Sequence, residues 1–569
     1  MALPGPRPRL ASVRAASATS SVAAEPTPRG SARRSTARTL EFIRRPSRWA
    51  DLFALAVLTA LAVGDYLPYA FKAGWFYDDW ALYTGARDAG GSWTHQISAC
   101  SASVAGGRSL ACVYHVTEYD VFTSHRWMYH AWVVVMLVAI AWMAYEILKR
   151  CRVAWPWALL VGALVILSPV SDSARLWSTA AIGQAVVALA MAGTLIVLVA
   201  LGRSRGRVTT SLHVAAAVLS VVAMVTYEIA VPLVALNVVA YVAAYRNRAA
   251  LIRGVIDLGL VLLFLIYRLE VDPADAQSGF VVHRTLGADL SRAGLLLRTA
   301  WGTWRSAYAP SELVLFAMLA TVLAAATTAV LVRVRRRALL GWSVMLAYAF
   351  VACVLCTLTF ITANDLYVPV SYGTFNRLNL PATIPYALGF VALLGLLYEV
   401  LAQSRALRWC GAVLVGAALV AVGVHQFRVS NTHKGAWETS WSQQRVALAG
   451  YRKAVRGLPA DARILGFGTP EWEAGFVPVF AASWDLRGAI DYTTRVDPPA
   501  AIPFAGGAVC ASTGIDVYGV LAMPYSGSTP LFAVNPGLDA AVRVNSRAAC
   551  QRVVDRWGPS PFWGATGPG

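Results

Sequence analysis

Gly74-Trp75-Phe76-Tyr77-Asp78-Asp79-Trp80 follows directly on the first long apolar segment of this chain. Two adjacent carboxylates between aromatic residues, at the rim of a bilayer, carry a desolvation penalty. An ionisable group at membrane depth therefore points to function, because the penalty needs a reason to be tolerated. The flanking Trp75, Phe76, Tyr77 and Trp80 suit the aromatic belt of a membrane interface. The stretch makes sense only if apolar segments lie on both sides of it, and they do.

The chain has 569 residues, of which 57% are hydrophobic and 14% charged, where a soluble protein carries roughly a quarter charged residues. Its mean hydropathy is +0.55. Eleven apolar runs approach the roughly 20 residues a spanning helix needs: 50–70, 127–148, 154–171, 179–201, 209–226, 228–245, 251–267, 312–333, 340–361, 381–402 and 407–424. The expected fold is an α-helical polytopic membrane protein with about 11 transmembrane helices. In the stretch 209–245 only Tyr227-Glu228 separates two halves, which reads as a tight hairpin.

The net charge of +19 raises nucleic acid as a partner, but its distribution argues against it: the basic residues cluster between apolar runs. Alternate connections carry them: Lys149, Arg150 and Arg152; Arg203, Arg205 and Arg207; Arg246, Arg248 and Arg253; Arg333 and Arg335 to Arg337; Arg405 and Arg408. With the N-terminal tail they hold 25 of the 49 Lys and Arg residues, the pattern of cytoplasmic loops. Residues 1–48, with ten arginines and only Glu25 and Glu41 as acids, read as a disordered cytoplasmic tail. Residues 49–424 then form the transmembrane domain, with extracytoplasmic loops at 71–126 and 268–311. Residues 425–569 form a soluble extracytoplasmic domain, expected to be α+β from the runs Arg463–Gly468 and Val517–Ala522 and a helical stretch at 440–456.

Cys100 and Cys112 fall in the first outside loop, and Cys510 and Cys550 in the C-terminal domain; each pair is placed to form a disulfide in an oxidising compartment. Cys151, Cys353, Cys356 and Cys410 lie in or beside spans and read as packing residues.

An N-terminal span, an outside loop opening on Asp78-Asp79, many further spans and a soluble C-terminal domain resemble the GT-C superfamily of membrane glycosyltransferases. The resemblance covers the architecture of most of the chain and, in residues, rests mainly on the acidic pair. It implies an inverting transfer of sugar from a polyprenyl-phosphate donor to a glycan or lipid acceptor of the cell envelope. The Ala-, Val- and Arg-rich composition fits a bacterium of high genomic GC content, and hence a bacterial plasma membrane. The alternatives are a transporter or flippase for an envelope lipid, and a non-catalytic envelope-assembly protein. Against the first, the ionisable residues gather at span ends and the halves show no symmetry.

Neighbouring residues on a helix point about 100° apart, so Asp78 and Asp79 divide two jobs. The resemblance implies that one is the base removing a proton from the acceptor hydroxyl. Asp78 is the first choice for it, with Asp79 its support or the contact of a divalent metal, should one be used; the order is open. The competing reading is a helix N-cap plus a solvated carboxylate, with a helix beginning near Ala81.

A phosphate-bearing donor needs cations. Arg377, in Tyr372-Gly-Thr-Phe-Asn-Arg-Leu-Asn-Leu-Pro381, is the first candidate, since its planar fork gives bidentate bonds to phosphate. Arg175 is a weaker one, able instead to pair with Asp172 three residues earlier. His283 and Arg284 are further candidates. Glu228, Asp365 and Tyr372 are candidate substrate contacts, Glu228 having the alternative of a carboxylate at a helix start. Trp437, Trp441, Trp472 and Trp484 in the C-terminal domain are core anchors or sugar-stacking surfaces.

Overall fold

The computed structural model describes residues 48–558 apart from 104–108, 205, 269–284, 310, 332–335, 362, 364–366, 403, 474–475, 495, 506–507 and 518–519. The described residues belong to one compact unit. His283, Arg284 and Asp365 lie outside the described residues.

The helices in chain order are α1 (Arg48–Ala70), α2 (Asp78–Ala89), α3 (Trp93–Ser103), α4 (Ser109–Phe122), α5 (Arg126–Arg150), α6 (Trp155–Leu167), α7 (Ser173–Leu176) and α8 (Ile182–Leu201). There follow α9 (Arg207–Thr226), α10 (Glu228–Tyr245, opening with a 3-10 turn), α11 (Arg248–Ile266), α12 (Leu286–Tyr308), α13 (Glu312–Leu331), α14 (Arg336–Leu358), α15 (Thr383–Leu401) and α16 (Arg405–Ala454). Two more, α17 (Ser483–Thr494) and α18 (Arg547–Trp557), belong to the C-terminal region.

Among the described residues ten helices are long and apolar enough to cross a membrane. The eleventh expected span is cut short: α6 has 13 residues, or about 20 Å at 1.5 Å per residue. It stops at Ser168-Pro169, and a 3-10 turn, α7 and a second 3-10 turn lead into α8. Proline removes an amide donor and disfavours helix in the residue before it. The last carbonyls of α6 are instead met by Arg175, whose Nη1 donates to Ile166 and Ser168 (2.8 and 2.7 Å) and whose Nη2 donates to Val165 (2.7 Å).

Two further segments are more continuous in helix than the sequence suggests. The loop 268–311 holds the 23-residue helix α12, hidden from a hydropathy count by Asp289, Arg292, Arg298 and Arg305. Its inner face carries Arg292, Leu296 and Ala300, and the Arg292 guanidinium donates to the carbonyls of Phe360 and Tyr367. The boundary at 425 also disappears. α16 runs unbroken for 50 residues, about 75 Å, so one helix is both the last membrane-length segment and the spine of the C-terminal region.

That region is built on a four-stranded sheet in the order β4 (Ala501–Pro503), β1 (Arg463–Gly466), β8 (Leu531–Asn535), β9 (Ala540–Arg543). The first three strands are parallel and β9 is antiparallel. Side chains alternate across the strands. Ile464 and Val534 join Tyr451 of α16 and Leu486 of α17, whereas Leu465 and Ala533 join Val553 of α18. Between β1 and α17 a short hairpin pairs β2 (Trp472–Glu473) with β3 (Val477–Pro478). The expected run at Val517–Ala522 falls on two strands, β6 (Gly514–Val517) and β7 (Val520–Pro524), antiparallel partners beside β5 (Ala508–Cys510). Both expected disulfides are present, Cys100–Cys112 and Cys510–Cys550; Cys353 and Cys356 stay free.

The C-terminal region docks on the first loop. Trp80 Nε1 donates to Gln444 Oε1 of α16 (2.9 Å), Thr84 Oγ1 donates to the Gly488 carbonyl (3.0 Å), and Arg87 pairs with Asp491 (2.7 Å). Gly488 lets α2 and α17 touch backbone to backbone: a β-carbon there would stand 2.7 Å from the Trp80 carbonyl carbon and oxygen.

Candidate active site at the acidic pair

The helix expected from Ala81 begins earlier, at Asp78 itself, so both acids lie in the first turn of α2, where the amide dipoles favour negative charge. The preceding Tyr77 takes the left-handed backbone (φ 49°), which a bulky residue adopts only when its surroundings impose it. Here its ring is wedged among Trp177 (5.6 Å), Trp472 (6.3 Å) and Trp484 (5.4 Å).

The two carboxylates have different surroundings. Asp79 is fully buried. Its Oδ2 accepts from the Phe76 amide (2.9 Å) and its Oδ1 from the Thr179 amide (2.8 Å), joining its own loop to the entry of α8. Burial still outweighs these bonds and pushes its pKa up to about 7. Asp78 is half-buried and accepts one side-chain hydrogen bond, from Trp484 Nε1 at 2.9 Å. Burial raises its pKa, opposed by the Arg377 guanidinium, the Trp484 N–H and the more distant His115.

Arg377 rides on the 3-10 segment Thr374–Ala382 that leads into α15. Its guanidinium stacks 4.7 Å from the Trp177 ring and 5.4 Å from Phe375, and Nη1 donates to the Thr374 carbonyl (2.7 Å). The segment is pinned from both sides. Asn376 Nδ2 donates to the carbonyls of Pro169 and Ser371, and Thr374 bonds the Phe476 carbonyl in the β2–β3 hairpin. Asp78, Trp484, Tyr77, Trp177 and Arg377 thus form one continuous patch, with an anion at one end and a cation at the other.

The other candidates are less central. Arg175 is buried, spent on the carbonyls of α6 and on Tyr66, and lies 3.5 Å from Asp172, the pairing its spacing suggests. Tyr372 stacks on His433 of α16 (4.5 Å), which hydrogen-bonds Asp172 Oδ2 (2.9 Å), so Tyr372 borders the patch from the α16 side. Glu228 opens α10; its neighbour Ile229 packs near Gly183, as does Leu380 at the far end of the Arg377 segment. Trp437 and Trp441 are core.

Among the described residues no group of three or more His, Cys, Asp or Glu side chains is placed to hold a metal ion, and both Asp79 oxygens are engaged by amides. Sequence reasoning missed His433, and gave Trp472 and Trp484 no tie to the acidic pair. All three are distant in sequence; the surplus of aromatics in the C-terminal region was their only sign. No protein-family model matches this chain, and no curated protein matches it.

Proposed function

We propose that this chain is a membrane glycosyltransferase of the GT-C kind, moving sugar from a polyprenyl-phosphate donor to a cell-envelope acceptor outside the bacterial plasma membrane. One observation carries the reading. The half-buried Asp78 carboxylate and the Arg377 guanidinium share one aromatic surface at the end of a bundle of membrane-length helices.

The Asp78 carboxylate takes the proton of an acceptor hydroxyl as its oxygen attacks the anomeric carbon. The bond from that carbon to the phosphate oxygen breaks with inversion, and the polyprenyl phosphate leaves with the electron pair. Arg377 offers its outward donors to that phosphate, and the exposed faces of Tyr77 and Trp484 suit a sugar ring. Asp79 acts through the backbone, holding the turn that aims Asp78. The α2–α17 docking surface keeps the C-terminal region over the site, on the extracytoplasmic side in this reading.

The test is transfer from a panel of polyprenyl-phosphate sugars to envelope extract by purified protein in detergent or liposomes. Loss of transfer in Asp78→Asn with unchanged expression supports the reading. Normal transfer by both Asp78→Asn and Asp79→Asn overturns it.

A further inference from the structure

Helix α4, in the same loop as Asp78, carries His115 and Glu118, both more than nine-tenths buried. Neither Glu118 oxygen has a hydrogen-bond partner of good geometry, the Tyr114 hydroxyl one turn earlier being close enough only to influence it, and His115 Nδ1, 3.6 Å from Glu118 Oε2, has none. Burial drives the Glu118 pKa well up and that of His115 down to about 4, so the two face each other uncharged. Leaving such groups dry and unpartnered carries a desolvation penalty that a ligand's polar group would relieve.

Glu118 lines a cavity of about 550 Å³ whose walls are mostly apolar, among them Val121 of α4, Trp132 of α5, Leu189 of α8 and Val222 of α9, with the hydroxyls of Tyr114, Thr117 and Thr226 as the other polar groups. That volume is of ligand-site size. Its walls come from the first turns of α5 and α8 and the last turns of α9, so it sits level with the ends of three membrane-length helices. Trp132 and Val121 are partly exposed on its rim, where a bilayer would meet it. His115, 3.6 Å from Glu118, stands behind the cavity wall rather than in it. The Cys100–Cys112 disulfide fixes α4 against α3 beside it.

We infer that this cavity is the lateral entry for a lipid with a hydroxyl headgroup, whose chain lies along the apolar wall and whose hydroxyl is received by Glu118. An apolar groove at bilayer level selects a lipid chain over a soluble glycan. A single protonated carboxyl, with no cation among the lining residues, selects a hydroxyl over a phosphate headgroup. Within the glycosyltransferase reading, on which only this final step rests, the lipid is the acceptor. Binding itself does not depend on catalysis.

The experiment uses the full-length protein in liposomes with two photoactivatable probes, a diazirine-labelled diacylglycerol with a free hydroxyl and a diazirine-labelled phosphatidylcholine without one. Labelled peptides are mapped by mass spectrometry. Diacylglycerol is expected to label α4 and the start of α8 at least fivefold above phosphatidylcholine. The excess should persist in Glu118→Gln, which keeps hydrogen-bonding capacity, and vanish in Glu118→Leu, which fills the site with an apolar side chain and keeps the fold. Equal labelling by both probes, or an excess unchanged in Glu118→Leu, overturns the inference. The same excess in Asp78→Asn keeps the outcome separate from the glycosyltransferase reading: binding without transfer there upholds the entry site, and transfer without selective labelling in the wild type removes it alone.

Discussion

Trp484 donates its indole N–H to Asp78 at 2.9 Å, across 406 residues of sequence. The bond ties the first turn of α2 to the first turn of α17, and it gives the C-terminal region a direct hold on the carboxylate proposed to do the chemistry. Trp484 is itself 46% exposed, so it can hold Asp78 with its edge and meet a substrate with its face.

Replacing Asp78 by Asn removes the base and keeps the shape. Transfer should fall by 10²–10⁴-fold, the usual worth of a positioned base, with thermal stability nearly unchanged. Initial rates at saturating donor, alongside a melting curve, check both halves.

Trp484→Phe keeps the ring and deletes the N–H. That bond holds the Asp78 pKa down against burial, so its loss raises the pKa. A base must be ionised to work, and the acid limb of the kcat/KM profile should therefore move to higher pH by about one unit. The plateau at high pH should change little. A profile that keeps its acid limb would remove Trp484 from the positioning of Asp78.

Asp79 makes stability depend on pH with a definite sign. In the native state it holds its proton up to about pH 7, against an ordinary value of 3.8. Between those limits the folded chain binds a proton that the unfolded chain has released. This contribution is present in full below about pH 3.8, declines as pH rises toward about 7, and is level above that. Asp79→Asn should lose this component of the slope. It should also cost about 1–3 kcal/mol, because its single acceptor oxygen replaces two and leaves the Phe76 or Thr179 amide unmet. Melting temperatures of both proteins from pH 4 to 8 give the comparison.

Arg377→Lys conserves charge and loses the planar stack on Trp177. Donor KM should rise about tenfold, and further in Arg377→Ala, while acceptor KM stays put. A rise confined to acceptor KM would move Arg377 to the other substrate.

Gly488→Ala puts a β-carbon 2.7 Å from the Trp80 carbonyl. Backbone must give way, at about 1–3 kcal/mol, and α17 shifts relative to α2. The acid limb should then move in the same direction as in Trp484→Phe, together with a lower melting temperature.

Hydropathy alone located the membrane-length helices, because a spanning segment declares itself through local composition. The places where that count went astray are those where a distant partner intervenes. α6 ends early because Pro169 breaks it and Arg175 caps it. α12, which is not among the membrane-length helices, shows the same principle within the expected loop 268–311: Arg292, a charge in sequence, is in the fold a hydrogen-bond donor to Phe360 and Tyr367. The disulfides were legible because each pair shares one segment between or after the apolar runs.

The sequence by itself determined that the acidic pair stands at the end of the first membrane-length helix, and that its members cannot share one role. Only tertiary structure decided which member is which. Asp79 is consumed by two backbone amides, one of them a hundred residues away. Asp78 is left to Trp484 and the reach of Arg377. Those partners come from four separate segments, and a carboxylate's environment is the sum of whatever packs against it. No spacing along the chain encodes that sum.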